Sequence, residues 1–194
     1  DGGGVQDMTL FCFDSYGLFT TTVEAKVTPT GNGAGLTGNF EAEVPENTRT
    51  VHFLANQNMS EFKEDKFRNK SEAEVMALLE GSSGRMIYWA RFTCDPDNDS
   101  KIDAQMADKG NTIKMIRNHA QVSIDNPING WIEVTGFVAY NTNAFGTVAP
   151  YHPEKGFDFE WPGEDDPFVT LPQNDARMSD ITDVTTATKQ YIFE

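Results

Sequence analysis

The chain has 194 residues and a formal net charge of −15, from 15 basic and 30 acidic side chains. A chain this acidic is repelled by phosphate backbones and anionic lipid, which argues against nucleic acid or a membrane surface as partner. No apolar run approaches the roughly 20 residues of a membrane-spanning helix, and the composition is that of a globular domain.

The first half of the chain is dominated by strand patterns. Residues 8–13 are apolar, residues 14–17 supply turn chemistry, and a Thr- and Val-containing stretch continues to residue 27, which predicts a β-hairpin. Residues 40–44 alternate apolar and polar side chains, and residues 49–56 are the most strand-like segment of the sequence.

One helix is predicted, beginning at Ser71. A glutamate three residues later, Glu74, completes a capping box, and Gly81 is the expected stop. Further strands are predicted over residues 86–92, 113–124, 131–140 and 190–193, and residues 150–187 are expected to form a long ordered loop with short strand pieces. The pattern favours a mainly β fold over residues 1–194, an antiparallel Greek-key-type β-sandwich (transthyretin-like) with one short helix.

The two cysteines, Cys12 and Cys94, are too few for a disulfide scaffold. Two separate reduced thiols are favoured over a Cys12–Cys94 bridge.

An acidic segment resembles the start of a calcium loop, because alternate carboxylates on a turn can converge on one hard cation. Its carboxylates are Asp95, Asp97, Asp99 and Asp103. Ser100 stands where that loop needs glycine and Met106 where it needs glutamate, so a solvated acidic loop is favoured and no metal or cofactor is expected.

Other candidate motifs lack the context that their chemistry requires. The glycine spacing at residues 33, 35 and 38 matches a dinucleotide loop, but a strand rather than a helix is expected to follow it. The histidines at positions 52, 119 and 152 have no metal-ligand spacing, and the first two are expected in the core with satisfied rings. No set supplies nucleophile, base and orienting group together, so enzymatic activity is not expected. Four carboxylates nevertheless remain candidates for a glycosidase pair: Glu41, Glu43, Glu133 and Glu160.

An aromatic set could form a sugar-binding platform if it were exposed on one face, although core packing is the favoured role. The set comprises Tyr151, Phe157, Trp131 and Trp161.

The segment Phe53-Leu54-Ala55-Asn56 resembles a signature of the fimbrillins and fimbrillin-like proteins of Bacteroidales type V pili, in which a strand ends in aliphatic-Ala-Asn. Other stretches resemble landmarks of that family in the same order: residues 10–17, 71–79, 116–122, 138–146 and 191–194. The resemblance spans nearly the whole chain and matches the family's N-terminal domain, without its first strand and its C-terminal domain.

The resemblance implies a structural subunit, or an accessory tip or anchor component, of a cell-surface fimbria that serves adhesion. Such proteins are exported to the outer membrane as lipoprotein precursors, and other subunits donate a β-strand to them after an Arg- or Lys-specific protease removes the first strand. A host or bacterial surface receptor is a further expected partner. The acceptor groove is expected beside the first strand, at Leu10, Cys12 and Phe13. The alternative is a surface carbohydrate-binding β-sandwich module.

Overall fold

A six-stranded antiparallel sheet forms the centre of the chain in the computed structural model. The structure describes residues 4–29, 37–57, 64–82, 86–123, 134–139, 142–143, 145–149, 156–157, 176–177, 182–183 and 189–193. The central strands are β1 (Met8–Phe13), β2 (Phe19–Pro29), β3 (Gly38–Glu41), β4 (Thr50–Ala55), β6 (Tyr88–Thr93) and β7 (Ile116–Arg117), with β5 (Glu80–Ser82) outside this sheet.

The spatial order of these strands is β3-β2-β1-β4-β6-β7. Three hairpin-connected strands, with the fourth returning beside the first, form a Greek key, so the predicted mainly β, antiparallel Greek-key topology is confirmed. The predicted β1–β2 hairpin is also confirmed. Its turn forms because the Asp14 carboxylate accepts the amides of Tyr16 and Leu18, at 2.9 and 3.0 Å, and Gly17 adopts a φ of +71°.

Four short antiparallel strand pairs accompany the central sheet in the described part of the chain. The remaining strands are β8 (His119–Ser123), β9 (Gly136–Phe137), β10 (Thr142–Asn143), β11 (Phe145–Thr147), β12 (Ala176–Arg177), β13 (Thr182–Asp183) and β14 (Lys189–Phe193). They pair as β8–β14, β9–β13, β10–β12 and β5–β11. The strand predicted at the end of the chain is confirmed as β14. Of the strand predicted over residues 131–140, the described residues 134–139 contain only the two-residue β9, and most of residues 150–187 lie outside the described residues.

The prediction of one continuous strand over residues 113–124 is wrong, because the chain changes partners at Asn118. β7 pairs with β6, and β8 pairs with β14. Between them, the Asn118 amide donates to the Ile87 carbonyl at 3.0 Å, and the Asn118 side-chain oxygen accepts the Ile87 amide at 2.8 Å. The apolar periodicity of the sequence does not indicate this change of partner strand, because the chain is extended both before and after Asn118.

Two helices cover the sheet. α1 (Glu72–Ala77) has the predicted capping box between Ser71 and Glu74, although it ends before Gly81, which lies in β5. α2 (Ile102–Asp108) corrects the expectation of a single helix. It is short and its N-cap Lys101 makes no side-chain capping hydrogen bond, so the usual sequence signal for a helix start is missing. Among the described residues, no helix is long and apolar enough to cross a membrane.

Alternate residues of the central strands face two separate hydrophobic clusters. The α1 side of the sheet packs strand residues against Val75, Met76 and Leu79, and its strand members are Phe11, Phe13, Phe19, Leu54 and Trp89. The α2 side packs against Ile102, and its strand members are Met8, Leu10, Cys12, Val51, Phe53 and Ala90. Every residue of β1 and β4 is buried, because both sides of these strands are covered.

Candidate functional site

The residues expected to line a partner-strand groove lie on the central strand of the sheet. Leu10, Cys12 and Phe13 are 2%, 0% and 0% exposed. Both backbone edges of β1 are hydrogen-bonded, to β2 on one side and to β4 on the other. A donated strand beside β1 would therefore have to displace one of this chain's own strands.

The two cysteines are unbridged and lie on the α2 side of the sheet. Cys12 is in β1 and Cys94 follows β6, with β4 between them. Two strand spacings of about 4.8 Å put their Cα atoms beyond the roughly 7 Å that a disulfide spans. The favoured prediction of two separate thiols is therefore confirmed. Burial raises the pKa of the Cys12 thiol to about 11.

The acidic residues proposed as a calcium loop do not converge. Asp95, Asp97, Asp99 and Asp103 are all exposed, and within the described ranges no three His, Cys, Asp or Glu side chains gather as a metal site. The Asp95 carboxylate accepts the Asp97 amide at 2.9 Å, and the Asp103 carboxylate accepts the amide of the next residue at 2.9 Å. These carboxylates cap local turns.

The inside of that loop is filled by two of the protein's own donors. The buried Gln105 amide nitrogen donates to the carbonyl oxygens of Asn98 and Ser100, at 3.0 and 2.9 Å, and its oxygen accepts the Asp95 amide at 2.7 Å. The Arg49 guanidinium donates to the Ser100 carbonyl at 2.8 Å. The carbonyl oxygens that a cation would need are thus already bound by a cationic and an amide side chain.

A buried polar cluster on the α1 side is the main concentration of ionisable groups in the described core. His52 on β4 is 0% exposed and lies directly opposite Arg91 on β6. The His52 Nε2 is 2.6 Å from a carboxylate oxygen of Glu72 on α1. Arg91 donates to both oxygens of that carboxylate, at 2.5 and 3.1 Å. The Trp89 indole N–H donates to His52 Nδ1 at 3.0 Å.

These contacts determine which nitrogen of the neutral His52 ring carries the hydrogen. Nδ1 accepts from Trp89, so the neutral ring carries its hydrogen on Nε2 and donates it to Glu72. Burial lowers the pKa of His52, although the neighbouring Glu72 carboxylate opposes that shift. Burial alone would raise the pKa of Glu72, but the hydrogen bonds from His52 and Arg91 outweigh it and lower that pKa to about 2.

The cluster joins the helix to the sheet and has no free basic nitrogen. Both nitrogens of His52 are engaged, and aromatic rings surround the imidazole, with Phe13 at 5.6 Å and Phe157 at 5.1 Å between ring centroids. The His52 ring therefore has a structural role, linking β4 to α1 through its hydrogen bond to Glu72. The expectation that His52 and His119 are core histidines is confirmed, since His119 is 3% exposed and its Nδ1 lies 2.7 Å from the Asn118 side-chain oxygen.

A second polar anchor lies at the end of β4, in the segment that carries the family resemblance. Asn56 is buried and adopts a left-handed φ of 64°. Its amide nitrogen donates to the carbonyls of Gly4 at 2.8 Å and Met86 at 3.3 Å, and its side-chain oxygen accepts the Gln6 amide at 2.9 Å. One side chain thus ties the segment before β1 and the segment before β6 to the end of β4.

The predicted aromatic platform is only partly within the described residues. Phe157 is half-buried and its ring packs on His52. Trp131, Tyr151 and Trp161 lie outside the described residues, as do His152 and two of the four candidate glycosidase carboxylates, Glu133 and Glu160.

No protein-family profile and no curated protein sequence matches the chain. Among solved structures, the chain is similar to a fimbrial assembly protein from Parabacteroides distasonis ATCC 8503, with 14% sequence identity and a TM-score of 0.45. The alignment covers 98% of this chain and 70% of that chain. The similarity between the two structures is distant.

Proposed function

We propose that the chain is a structural subunit, or an accessory tip or anchor component, of a cell-surface fimbria, assembled by β-strand complementation and serving adhesion. The observation that carries the proposal is the place of the Phe53–Asn56 signature in the fold. Leu54 and Ala55 are completely buried, and Asn56, the first residue after β4, has a backbone conformation that asparagine tolerates better than most residues. Burial thus explains Leu54 and Ala55, and backbone conformation explains Asn56, at the positions that the family signature gives them.

The other landmarks of the resemblance support the same proposal. Residues 10–17 form the end of β1 and its turn, residues 71–79 contain the capped helix α1, and residues 191–193 lie in the strand that pairs with β8. Their order along the chain follows the order in the family. Agreement of several short patterns with distinct elements is stronger support than any one pattern alone.

Strand complementation suits a fold of this kind on physical grounds. An antiparallel sheet offers backbone donors and acceptors along any unpaired edge, and an added strand satisfies them while its alternate side chains fill pockets. In the proposed role the protein is exported as a lipoprotein precursor, reaches the outer membrane, and receives a strand from another subunit.

The proposal is tested with the full-length exported protein. Its mass is measured before and after treatment with an Arg- or Lys-specific protease, and the product is followed by size-exclusion chromatography and electron microscopy. Loss of an N-terminal segment followed by fibre formation is the result expected of a stalk subunit. A tip or anchor component is expected at the ends of surface fibres in immunogold images of the source cells. Absence from surface fibres together with no assembly after cleavage would overturn the proposal, and glycan-array binding would then favour the carbohydrate-binding alternative.

A further inference from the structure

The two ring nitrogens of His52 face partners of opposite kind. Nε2 lies 2.6 Å from a Glu72 carboxylate oxygen, whereas Nδ1 accepts the indole N–H of Trp89 at 3.0 Å. An indole N–H can only donate, so the contact with Trp89 requires a lone pair on Nδ1. The neutral ring with its hydrogen on Nε2 is therefore the one protonation state that satisfies both contacts.

Protonation of the ring would act on these two contacts in opposite directions. An imidazolium carries a hydrogen on each nitrogen, so its Nδ1–H and the Trp89 N–H would point at one another with no acceptor between them. The contact through Nε2 would be strengthened, because a carboxylate binds a charged donor more tightly than a neutral one. Acid thus disfavours the contact between His52 and Trp89 and favours the contact between His52 and α1.

Two charged groups face the imidazole among the described residues, and their effects are opposed. Glu72, from α1, favours the imidazolium, and Arg91, from β6, disfavours it. The other described neighbours of the ring are aromatic and do not titrate: Phe13 on β1, Trp89 on β6, and Phe157. Burial outweighs the effect of Glu72 and lowers the pKa of His52, so the closed arrangement keeps the ring neutral near pH 7.

Phe157 is the most exposed of the three aromatic side chains around the imidazole. Its ring packs edge to face on His52 at 5.1 Å between centroids and is half-buried, whereas Phe13 and Trp89 are 0% and 2% exposed. A half-buried ring is displaced at a lower cost in apolar burial than a fully buried one. Displacement of Phe157 is therefore the least costly way to bring water to the His52 ring.

We propose that His52 and Trp89 form an acid-sensitive switch within the fold, in which proton uptake at Nδ1 releases the Trp89 indole. Glu72 keeps the imidazolium in contact with α1, and Phe157 moves aside to admit the proton. The change is local, because it breaks a contact between side chains and leaves the backbone hydrogen bonds of β4, β6 and α1 in place. This inference is independent of the proposed function.

The test follows the indole N–H resonances of the wild-type chain, labelled with nitrogen-15 at its three tryptophans, as the pH is lowered from 8. The Trp89 resonance is identified by its Overhauser contacts with the His52 ring. Below about pH 6.5, we expect this hydrogen to exchange with water up to tenfold faster per pH unit, after correction for the intrinsic effect of pH on exchange. The backbone amides of α1 should stay as protected as at pH 8. The proposal is overturned if the indole stays protected to about pH 4.5, or if it exchanges only together with the α1 amides in global unfolding.

Two variants distinguish the switch from a merely structural role of the ring, and the wild-type measurement needs neither of them. His52→Gln does not titrate in this range, so the pH dependence of Trp89 indole exchange should vanish. Trp89→Phe removes the donor that keeps a proton off Nδ1, so the His52 ring, followed by its nitrogen-15 resonances, should titrate at a higher pH than in the wild type. An unchanged His52 titration in Trp89→Phe would show that the indole does not control the ring, contrary to the proposal.

Discussion

On the α1 side of the sheet, rings meet edge to face, as Phe11 and Phe67 do at 5.6 Å between centroids, and the cluster of His52, Glu72 and Arg91 fixes the helix by hydrogen bonds. On the α2 side, the buried strand residues are mainly aliphatic or sulfur-containing, and many of the apolar side chains around them are only half-buried. The same strands thus build both cores. A hydrogen-bonded cluster of charged side chains is part of the α1-side core, whereas apolar packing predominates among the buried residues of the α2-side core.

The largest expected difference between the two sides comes from removing one ring. Phe11→Ala deletes a completely buried side chain that contacts Phe19 and Phe67, and we expect a loss of about 4 kcal/mol in the free energy of unfolding. Val23→Ala, on the half-buried margin of the α2 side, is the control, with an expected loss of about 1 kcal/mol. Urea unfolding followed by circular dichroism measures both, and equal losses would contradict the comparison.

Breaking the polar cluster is expected to have the next largest effect. Glu72→Ala leaves the His52 N–H and the Arg91 guanidinium without their acceptor, at a cost of about 3 kcal/mol. Glu74→Ala, on the same helix, removes only the exposed capping box and should destabilise the protein much less than Glu72→Ala. The same urea titration compares them. If the two variants were equally stable, Glu72 would be acting through helix capping alone.

The α2 helix should contribute less, because Ile102 is its one buried apolar side chain and its other buried residue, Gln105, hydrogen-bonds to the preceding loop. Ile102→Ala is expected to cost about 2 kcal/mol. The exposed Ala104 on the same helix provides the control, since Ala104→Ser changes no packing there and should leave the midpoint of urea unfolding nearly unchanged. If Ile102→Ala left the free energy of unfolding nearly unchanged, packing of α2 against the sheet would contribute little to stability.

Acid should affect the α1 side first. The pKa of His52 is lowered in the fold, so below about pH 6.5 the unfolded chain binds a proton that the folded chain does not, and stability falls as the pH falls. We expect an extra loss of stability as the pH falls below about 6.5, which His52→Gln should abolish. Glu72 adds a second loss as the pH falls from its ordinary pKa of 4.5 toward 2. Unfolding titrations from pH 8 to 3 measure both steps.

Local chemistry predicted much of this architecture from the sequence. The runs at residues 8–13 and 50–55 have the apolar density of doubly buried strands, and Ser71 with Glu74 is a self-contained signal for a helix start. What could not be predicted depends on distant partners. The exchange of partners at Asn118 depends on Ile87, and the His52–Glu72 contact joins residues 20 positions apart. The acidic loop was ambiguous because the groups that fill it are Arg49, from a distant part of the chain, and Gln105, on a helix that the sequence did not predict.

The reactivity of the two buried thiols reports how often the fold around each of them opens. Thiol reagents attack the thiolate, and burial raises the pKa of both Cys12 and Cys94. Cys12 lies on the central strand, whereas Cys94 follows β6 nearer the margin of the sheet. The rate at which a maleimide labels Cys94 therefore reports fraying at the margin, and the rate for Cys12 reports separation of the central strands. The two native cysteines thus distinguish local from global opening without any engineered labelling site.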